Sequence, residues 1–282
     1  MTGGPAAAPP AYDVAPSASV GVVLDRIDRL AADLALRKTA RPDLWPTVLK
    51  KLKVQWTTES NAIEGSSLSF GDTLFFLEHG LTVEGKPFKD FLDARNHAQA
   101  IELLFDAIAN RRPLGESLIK EVNALLLSGV TSTAAVDQFG RQVDKPANPG
   151  AYKTLPNHVL LPDGRIHRYV DPLHVPAEME QLCRWIGESQ GKRHPVVVAA
   201  IAHYNFVRIH PFDDGNGRGA RLLTNLVLMR AEFPPAVIAN ERRRAYLDAL
   251  RRADAGELAP FLSFVGEAAE TTLQALARDL SQ

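Results

Sequence analysis

One stretch of twelve residues, His210-Pro-Phe-Asp-Asp-Gly-Asn-Gly-Arg-Gly-Ala-Arg221, limits the folds open to this chain more than any other. It is preceded by an apolar run over residues 195–209 and followed by a second over 222–229. Each run has the length and apolar content expected of a buried helix. The sequence therefore predicts a tight loop that joins two core helices.

The glycines and arginines of this loop indicate an anion site. The first N–H groups of a helix lack partners within the helix, so a loop that leads into a helix can bind an anion. Gly215 and Gly217 can adopt backbone angles that aim N–H groups at a phosphate, and they place no Cβ in its way. Arg218 and Arg221 are three residues apart, so both guanidiniums are predicted to lie on one side of the helix and hold phosphate oxygens.

Three further side chains of the loop have chemical uses. Asp214 suits Mg²⁺, which binds one or two carboxylates together with substrate phosphates. Asn216 can hydrogen-bond either to a phosphate or to the loop itself. His210 titrates near neutral pH and can take a proton from a hydroxyl. A purely structural alternative remains, since Asp-Gly and Asn-Gly are common in turns and arginines often lie on a solvated helix face.

The stretch resembles the Fic family signature, H-x-F-x-[D/E]-G-N-G-R-x-x-R, and the resemblance extends from about Asn61 to Phe264. The fixed positions are occupied by His210, Phe212, Asp214, Gly215, Asn216, Gly217, Arg218 and Arg221. The resemblance implies an all-α, Fic-type helical bundle with a small β-hairpin flap and an N-terminal helical extension. It also implies a protein adenylyltransferase, which moves AMP from ATP to a Ser, Thr or Tyr hydroxyl of a target protein.

The same resemblance implies a role for each signature residue. His210 would be the base, Asp214 would hold Mg²⁺, and Phe212 would anchor the loop in the core. Gly215, Asn216, Gly217 and Arg218 would form the phosphate cradle, and Arg221 would reach the γ-phosphate of ATP. Tyr246 matches a position where related enzymes place an aromatic ring near the nucleotide base.

A second motif lies near the N-terminus. Apolar spacing predicts helices over 20–36 and 44–62, and the second ends at Ser60-Asn-Ala-Ile-Glu64-Gly65. Taken alone, these residues are typical of a helix end. They also resemble the inhibitory helix of the Fic family, [S/T]-x-x-x-E-[G/N], in which Glu64 would pair with Arg221 and obstruct the γ-phosphate.

Two short strands are predicted around a turn, over 157–161 and 165–170. They indicate either an ordinary surface hairpin or the family's flap, whose edge pairs with the backbone of the target. In the flap interpretation, the segment Val159, Leu160 and Leu161 contacts the target.

Composition sets the remaining expectations. We expect a disordered tail over 1–19, a helical region with the inhibitory motif over 20–90, and a Fic core domain over 91–275. The 32 basic and 33 acidic residues among 282 give a net charge of −1, which argues against a nucleic-acid partner. The single cysteine, Cys183, fits a reducing, cytoplasmic compartment, and no apolar run is long enough to cross a membrane.

Other functions remain open at this stage. The chain could use another nucleoside triphosphate, or it could remove AMP from a modified target with Glu64 positioning the attacking water. It could also be a nucleotide-binding regulator without turnover, although His210 has no use in such a protein. Auto-modification and a homodimer are expected by family analogy alone.

Overall fold

The computed structural model describes residues 7–136, 142–160 and 166–281, and within these ranges the chain is mainly helical. The predicted all-α class, with a small β-hairpin, is confirmed. The helices are α1 (Ala18–Ala40), α2 (Trp45–Ile63), α3 (Phe70–His79), α4 (Phe88–Ala109), α5 (Glu116–Leu126), α6 (Val175–Ser189), α7 (Pro195–Ile209), α8 (Asn216–Arg230), α9 (Arg243–Asp254) and α10 (Ala259–Asp279). None of them combines the length and the apolar content needed to cross a bilayer.

Helices α7 and α8 form the centre of the bundle. Nearly every side chain of both helices is buried, as the two apolar runs predict. Helices α6 and α10 pack against α7, while α4 and α5 pack against α8. The loop between α7 and α8 is therefore held by the most deeply buried part of the molecule.

The N-terminal helices belong to the same hydrophobic core. Helix α1 packs along α10 so closely that a Cβ on Gly266 would lie 2.9 Å from the Cγ1 atom of Val23. The core cluster includes Leu24 of α1 and Trp56 of α2 together with residues of α7, α8 and α10. The helical region over 20–90 and the core region over 91–275 therefore share one hydrophobic core, and the predicted boundary between them falls inside α4.

The sequence predicts a disordered tail over 1–19, but residues 7–17 lie as an extended segment along α7. Asn205 donates to the carbonyl of Ala11 (3.1 Å) and accepts from its N–H (3.1 Å). Arg208 donates to the carbonyl of Ala8 (3.3 Å), and the Tyr12 ring lies 5.5 Å from that of Trp185. The prediction was wrong for 7–17 because an Ala/Pro-rich segment offers few side chains for a core but still offers backbone acceptors. Residues 1–6 lie outside the described ranges.

The part between α5 and α6 contains two antiparallel hairpins. Strands β1 (Ser132–Val136) and β2 (Gln142–Pro146) form a hairpin that the sequence did not predict. Strands β3 (Val159–Leu160) and β4 (Ile166–His167) form the predicted one, with Val159 opposite His167 and Leu160 opposite Ile166. Leu161, assigned to the flap from the sequence, lies outside the described residues.

We expect Asn205→Ala to release the N-terminal segment, because it removes both hydrogen bonds to Ala11. Each is worth about 1 kcal/mol. Limited proteolysis should then cut within residues 7–17 at least several-fold faster than in the wild type. Asn110→Ala, which removes an exposed amide bound only to Asp106, is the control. Equal cutting rates in both variants would show that Asn205 does not hold the segment.

Candidate active site

Helix α7 ends at His210, which adopts a left-handed backbone conformation with φ 51° and ψ 59°. Its N–H still donates to the Phe206 carbonyl at 2.9 Å. A non-glycine residue in this region costs on the order of 1 kcal/mol. The following residue, Pro211, disfavours helical angles at His210. The chain therefore turns sharply at the candidate base.

The imidazole of His210 is held in the form that a general base requires. Its Nδ1 atom lies 3.3 Å from the Val207 carbonyl, so Nδ1 carries the proton and Nε2 is the acceptor. Burial lowers the pKa of His210 to about 3, and the nearby Lys153 cation adds to the effect. The ring of Tyr169 is stacked on the imidazole, with centroids 3.7 Å apart and planes at 17°. Tyr169 was not recognised from the sequence, because it falls outside the signature.

The loop is fixed by side chains from within and from outside the signature. Asn216 accepts from the Phe212 N–H (2.9 Å) and donates to the Phe212 carbonyl (2.8 Å), so its amide fixes the loop. The Phe212 ring is buried in the core, as predicted. Gly215 has φ 77°, and a Cβ there would lie 3.2 Å from Asn123 Nδ2, which donates to the Asp214 carbonyl. Only glycine fits this position without strain.

The loop leads directly into the N-terminus of α8 at Asn216. The N–H groups of the first turn have no acceptor within the helix. Gly217 lies in this turn, so no side chain at that position covers these N–H groups. This is the backbone arrangement that an anion site requires.

Asp214 lies at the edge of this site, and its side chain is 47% exposed. One carboxylate oxygen accepts from the Gly215 N–H at 2.6 Å, and the other lies 4.0 Å from Arg218 Nη2. Among the described residues no three metal-binding side chains cluster together. A single accessible carboxylate beside an anion site still fits Mg²⁺, which takes its other ligands from phosphates and water.

Arg218 is paired within the protein. Its Nη1 atom donates to Asp93 of α4 at 2.6 Å, and both side chains are buried. Asp93 also accepts from Lys89 at 2.5 Å. Arg218 thus binds Asp93 of α4, whereas Arg221 binds the end of α2, so the two guanidiniums have different partners within the protein. Their predicted role in holding a phosphate stays a prediction. Asp93 carries no local signal, since 125 residues separate it from Arg218.

Arg221 is bound by the end of α2, and the predicted contact with Glu64 is present. Its Nη2 atom donates to Glu64 at 2.6 Å and to the Ser60 carbonyl at 2.9 Å, while Nε donates to the Ser60 hydroxyl at 2.9 Å. Burial alone would raise the pKa of Glu64, but the Arg221 guanidinium holds it below its ordinary value. Gly65 then turns the chain away with φ 101°.

Comparison with known proteins agrees with this geometry. The model of the Fic/DOC family matches residues 113–228. A protein adenylyltransferase, fic-1, of Caenorhabditis elegans is 33% identical over 91% of this chain and 46% of its own length. A protein adenylyltransferase Fic of Nematostella vectensis is 32% identical over 80% of this chain and 49% of its own length. The chain thus spans about half the length of these curated relatives.

Solved structures give the same result. A Fic domain containing signaling protein from Bacteroides thetaiotaomicron superposes with a TM-score of 0.80 at 29% identity, over 91% of this chain and 97% of the other. A fragment of Fic-1 from C. elegans superposes with a TM-score of 0.74 at 26% identity, over 92% of this chain and 72% of the fragment. This chain belongs to the Fic/DOC family.

Tyr246, which was predicted to lie near the nucleotide base, does not have the surroundings that this role requires. Its side chain is only 3% exposed, its hydroxyl lies 2.8 Å from His203 Nε2, and its ring packs near Phe261 and Phe264. A ring enclosed in this way has no open face for a nucleotide base. The assignment of Tyr246 as a base contact is therefore not supported.

The hairpin of β3 and β4 lies near the Fic/DOC loop. Val159 is 45% exposed. Beyond β4 the chain reaches Tyr169, which is stacked on His210. This connection links the position of the hairpin to that of the candidate base.

The close approach of Glu64 to Gly217 predicts that Gly217→Ala changes the free energy of unfolding in opposite directions with and without the Glu64 side chain. A Cβ on Gly217 would overlap Glu64 Oε1, so Gly217→Ala should displace the carboxylate and destabilise the protein. In a Glu64→Ala background the overlap is gone, and alanine should stabilise α8 by up to about 1 kcal/mol. Urea unfolding of the four proteins measures both effects. The same sign in both backgrounds would contradict the prediction. Gly219→Ala, which meets only Phe206 at 3.4 Å, is the control.

The low pKa of His210 predicts a loss of stability in acid. The unfolded chain takes up a proton near pH 6.5, whereas folded His210 stays neutral down to about pH 3. Stability should therefore fall below pH 6.5, by up to about 2 kcal/mol at pH 5 from this residue. His210→Ala should lose correspondingly less between neutral pH and pH 5 in urea unfolding. His79→Ala, at a half-exposed side chain, should behave as the wild type does. An equal acid loss in His210→Ala and wild type would refute the assignment.

Proposed function

We propose that this chain is a protein adenylyltransferase that moves AMP from ATP to a Ser, Thr or Tyr hydroxyl of a target protein. One observation carries the proposal above all. A neutral histidine with Nε2 as acceptor stands directly before the N-terminus of α8, where N–H groups can hold a phosphate. A base and an anion site at this spacing suit transfer of a phosphoryl group to a hydroxyl.

The reaction is an in-line displacement at the α-phosphorus of ATP. Nε2 of His210 takes the proton of the acceptor hydroxyl, and the oxygen forms a bond to the α-phosphorus. The bond to the β-phosphate oxygen breaks, and pyrophosphate leaves. The backbone of Gly215, Asn216 and Gly217, together with Arg218, orients the phosphates, so positioning and charge neutralisation do most of the catalytic work.

A magnesium ion belongs to this proposal. Asp214 would hold it, with phosphate oxygens as further ligands. When bound, the ion neutralises negative charge on the phosphates. The accessible carboxylate and the anion site beside it support this assignment.

Glu64 restrains the enzyme in this proposal. A carboxylate bound to a guanidinium occupies the donors that a terminal phosphate needs. Because Glu64 binds Arg221 at 2.6 Å, ATP has to displace the carboxylate before its γ-phosphate reaches that arginine. Ser60 and Gly65 support this arrangement by holding Arg221 and ending α2.

The target segment would lie along β3, next to Val159, Leu160 and Leu161. An exposed strand edge can accept a further strand through main-chain hydrogen bonds. We also propose a cytoplasmic location, which a single cysteine favours. Auto-modification and a homodimer remain part of the proposal by family analogy.

We expect Glu64→Ala to incorporate at least about tenfold more AMP into protein than the wild type. The test incubates each variant with Mg²⁺ and α-labelled ATP, CTP, GTP or UTP, and measures protein-bound label. Glu64→Ala/His210→Ala should give none. Glu59→Ala is the matched control, because this glutamate also lies on α2 but accepts from the Asn240 N–H instead of binding Arg221.

Each other result selects another function. Label from a different nucleotide would change the donor. If no label is incorporated but AMP is released from a pre-modified target, the chain catalyses the reverse reaction. Nucleotide binding without either reaction would leave a regulatory role. Equal labelling by Glu59→Ala and Glu64→Ala would remove the restraint from the proposal.

A further inference from the structure

The ring of Tyr169 covers the imidazole of His210. The two ring centroids are 3.7 Å apart and the planes differ by 17°, so the rings lie nearly face to face. Tyr169 follows β4 and lies outside the signature, and the proposed function gives it no role. A ring that contacts the candidate base this closely can affect both the orientation and the charge of the base.

Tyr169 is itself held by its neighbours. Its N–H donates to His158 Nδ1 at 3.3 Å. The next residue, Val170, is buried and donates its N–H to the Arg208 carbonyl at 3.4 Å, near the end of α7. The His167 ring meets the Tyr169 ring edge-on, with centroids 4.7 Å apart and planes at 76°. The Tyr169 ring is therefore fixed relative to the last turn of α7.

The imidazole needs such a support, because its hydrogen bond is long. Nδ1 of His210 lies 3.3 Å from the Val207 carbonyl, beyond the usual range for an N–H···O bond. This bond alone holds the imidazole plane only weakly, and a loosely held neutral imidazole can carry its proton on either nitrogen. With the Tyr169 ring against its face, the imidazole cannot turn without a clash. Nδ1 then stays toward Val207, and Nε2 remains the acceptor.

The face-to-face geometry suits the charged form of the base. Two neutral aromatic rings prefer an offset or edge-to-face arrangement, whereas a cation is attracted to the face of an aromatic ring. Burial raises the pKa of Tyr169 to about 12, so its side chain stays a neutral phenol. When Nε2 of His210 takes the proton of the acceptor hydroxyl, the O–H bond breaks, an N–H bond forms, and the imidazole gains one positive charge. The stack is therefore stronger after proton transfer than before it, and only interactions of this kind raise a rate.

We propose that Tyr169 is a positioning residue for His210, which keeps Nε2 available as the acceptor and stabilises the imidazolium. The proposal rests on the proposed function in one respect, namely that His210 acts as the general base. The contact is made by the ring and not by the hydroxyl. Phenylalanine should therefore serve in place of Tyr169, whereas an aliphatic side chain should not.

The first measurement needs no nucleotide. In protein with nitrogen-labelled histidine, the chemical shifts of the two imidazole nitrogens of His210 report which of them carries the proton. Wild type and Tyr169→Phe should carry it on Nδ1 alone, whereas Tyr169→Leu should show a mixture of both neutral tautomers. An unchanged tautomer in Tyr169→Leu would overturn the proposal.

Phe233→Leu is the matched control for this measurement. It also removes an aromatic ring from beside a histidine, since Phe233 lies 5.7 Å from the ring of His194. The shifts of His210 should stay as in the wild type. If Phe233→Leu changes them as much as Tyr169→Leu does, the effect is general damage and the proposal fails.

The second measurement follows AMP transfer in the Glu64→Ala background as the ATP concentration is varied. Adding Tyr169→Leu should lower kcat by at least about tenfold, because the base is no longer held in place. The KM for ATP should change by less than about twofold, because the ring contacts the base. Adding Tyr169→Phe should retain most of the rate. A higher KM with kcat unchanged, or an equal loss of kcat with both substitutions, would overturn the proposal.

Together the two measurements separate this proposal from the proposed function. Mixed tautomers in Tyr169→Leu together with no AMP transfer in any variant would retain the positioning role and refute the adenylyltransferase. AMP transfer with an unchanged kcat in Glu64→Ala/Tyr169→Leu would do the reverse. If urea unfolding shows that Tyr169→Leu does not fold, Tyr169→Met, which also lacks an aromatic ring, replaces it in both measurements.

Discussion

The charge of Arg221 lies almost entirely inside the protein, where its side chain is 4% exposed. An unpaired guanidinium at such a position would cost several kcal/mol. The end of α2 supplies its partners, and Trp56 and Ile63 of the same helix are buried in the core. Arg243 also donates to the Ile63 carbonyl at 2.7 Å. Helix α2 is therefore part of the folded bundle, so separation of Glu64 from Arg221 requires movement of the Glu64 side chain and not detachment of the helix.

The same constraint applies to Arg218, which lies one turn before Arg221 on α8. It reaches Asp93 of α4, so the first turn of α8 is fixed between α4 and α2. The pKa of His97 is well below its ordinary value, because the imidazole is buried and because the positive charges of Arg221 and Arg218 oppose its protonation. The charges of Arg218 and Arg221 are thus held by the packing of three helices.

Most of the helices and the whole signature loop could be predicted from the sequence, because apolar spacing and turn-forming residues are local signals. The contact of Glu64 with Arg221 was predicted because each residue belongs to a recognisable motif. Asp93 was not, because no local pattern marks a polar partner that is distant along the sequence. The segment over 7–17 was missed because its contacts use backbone carbonyls, which composition does not reveal.

Glu64 and Arg221, the two members of this ion pair, differ in their freedom to move. Arg221 is enclosed, whereas the Glu64 side chain is 44% exposed and lies at the end of a helix. Exposed ion pairs are worth about 1 kcal/mol or less, whereas a buried charge that loses its partner is strongly destabilising. A terminal phosphate carries more negative charge than a carboxylate and can compete for the same guanidinium. Arg221 is therefore the fixed member of the pair, and under the proposed function the occupant of its donors, Glu64 or phosphate, would decide whether the site is restrained.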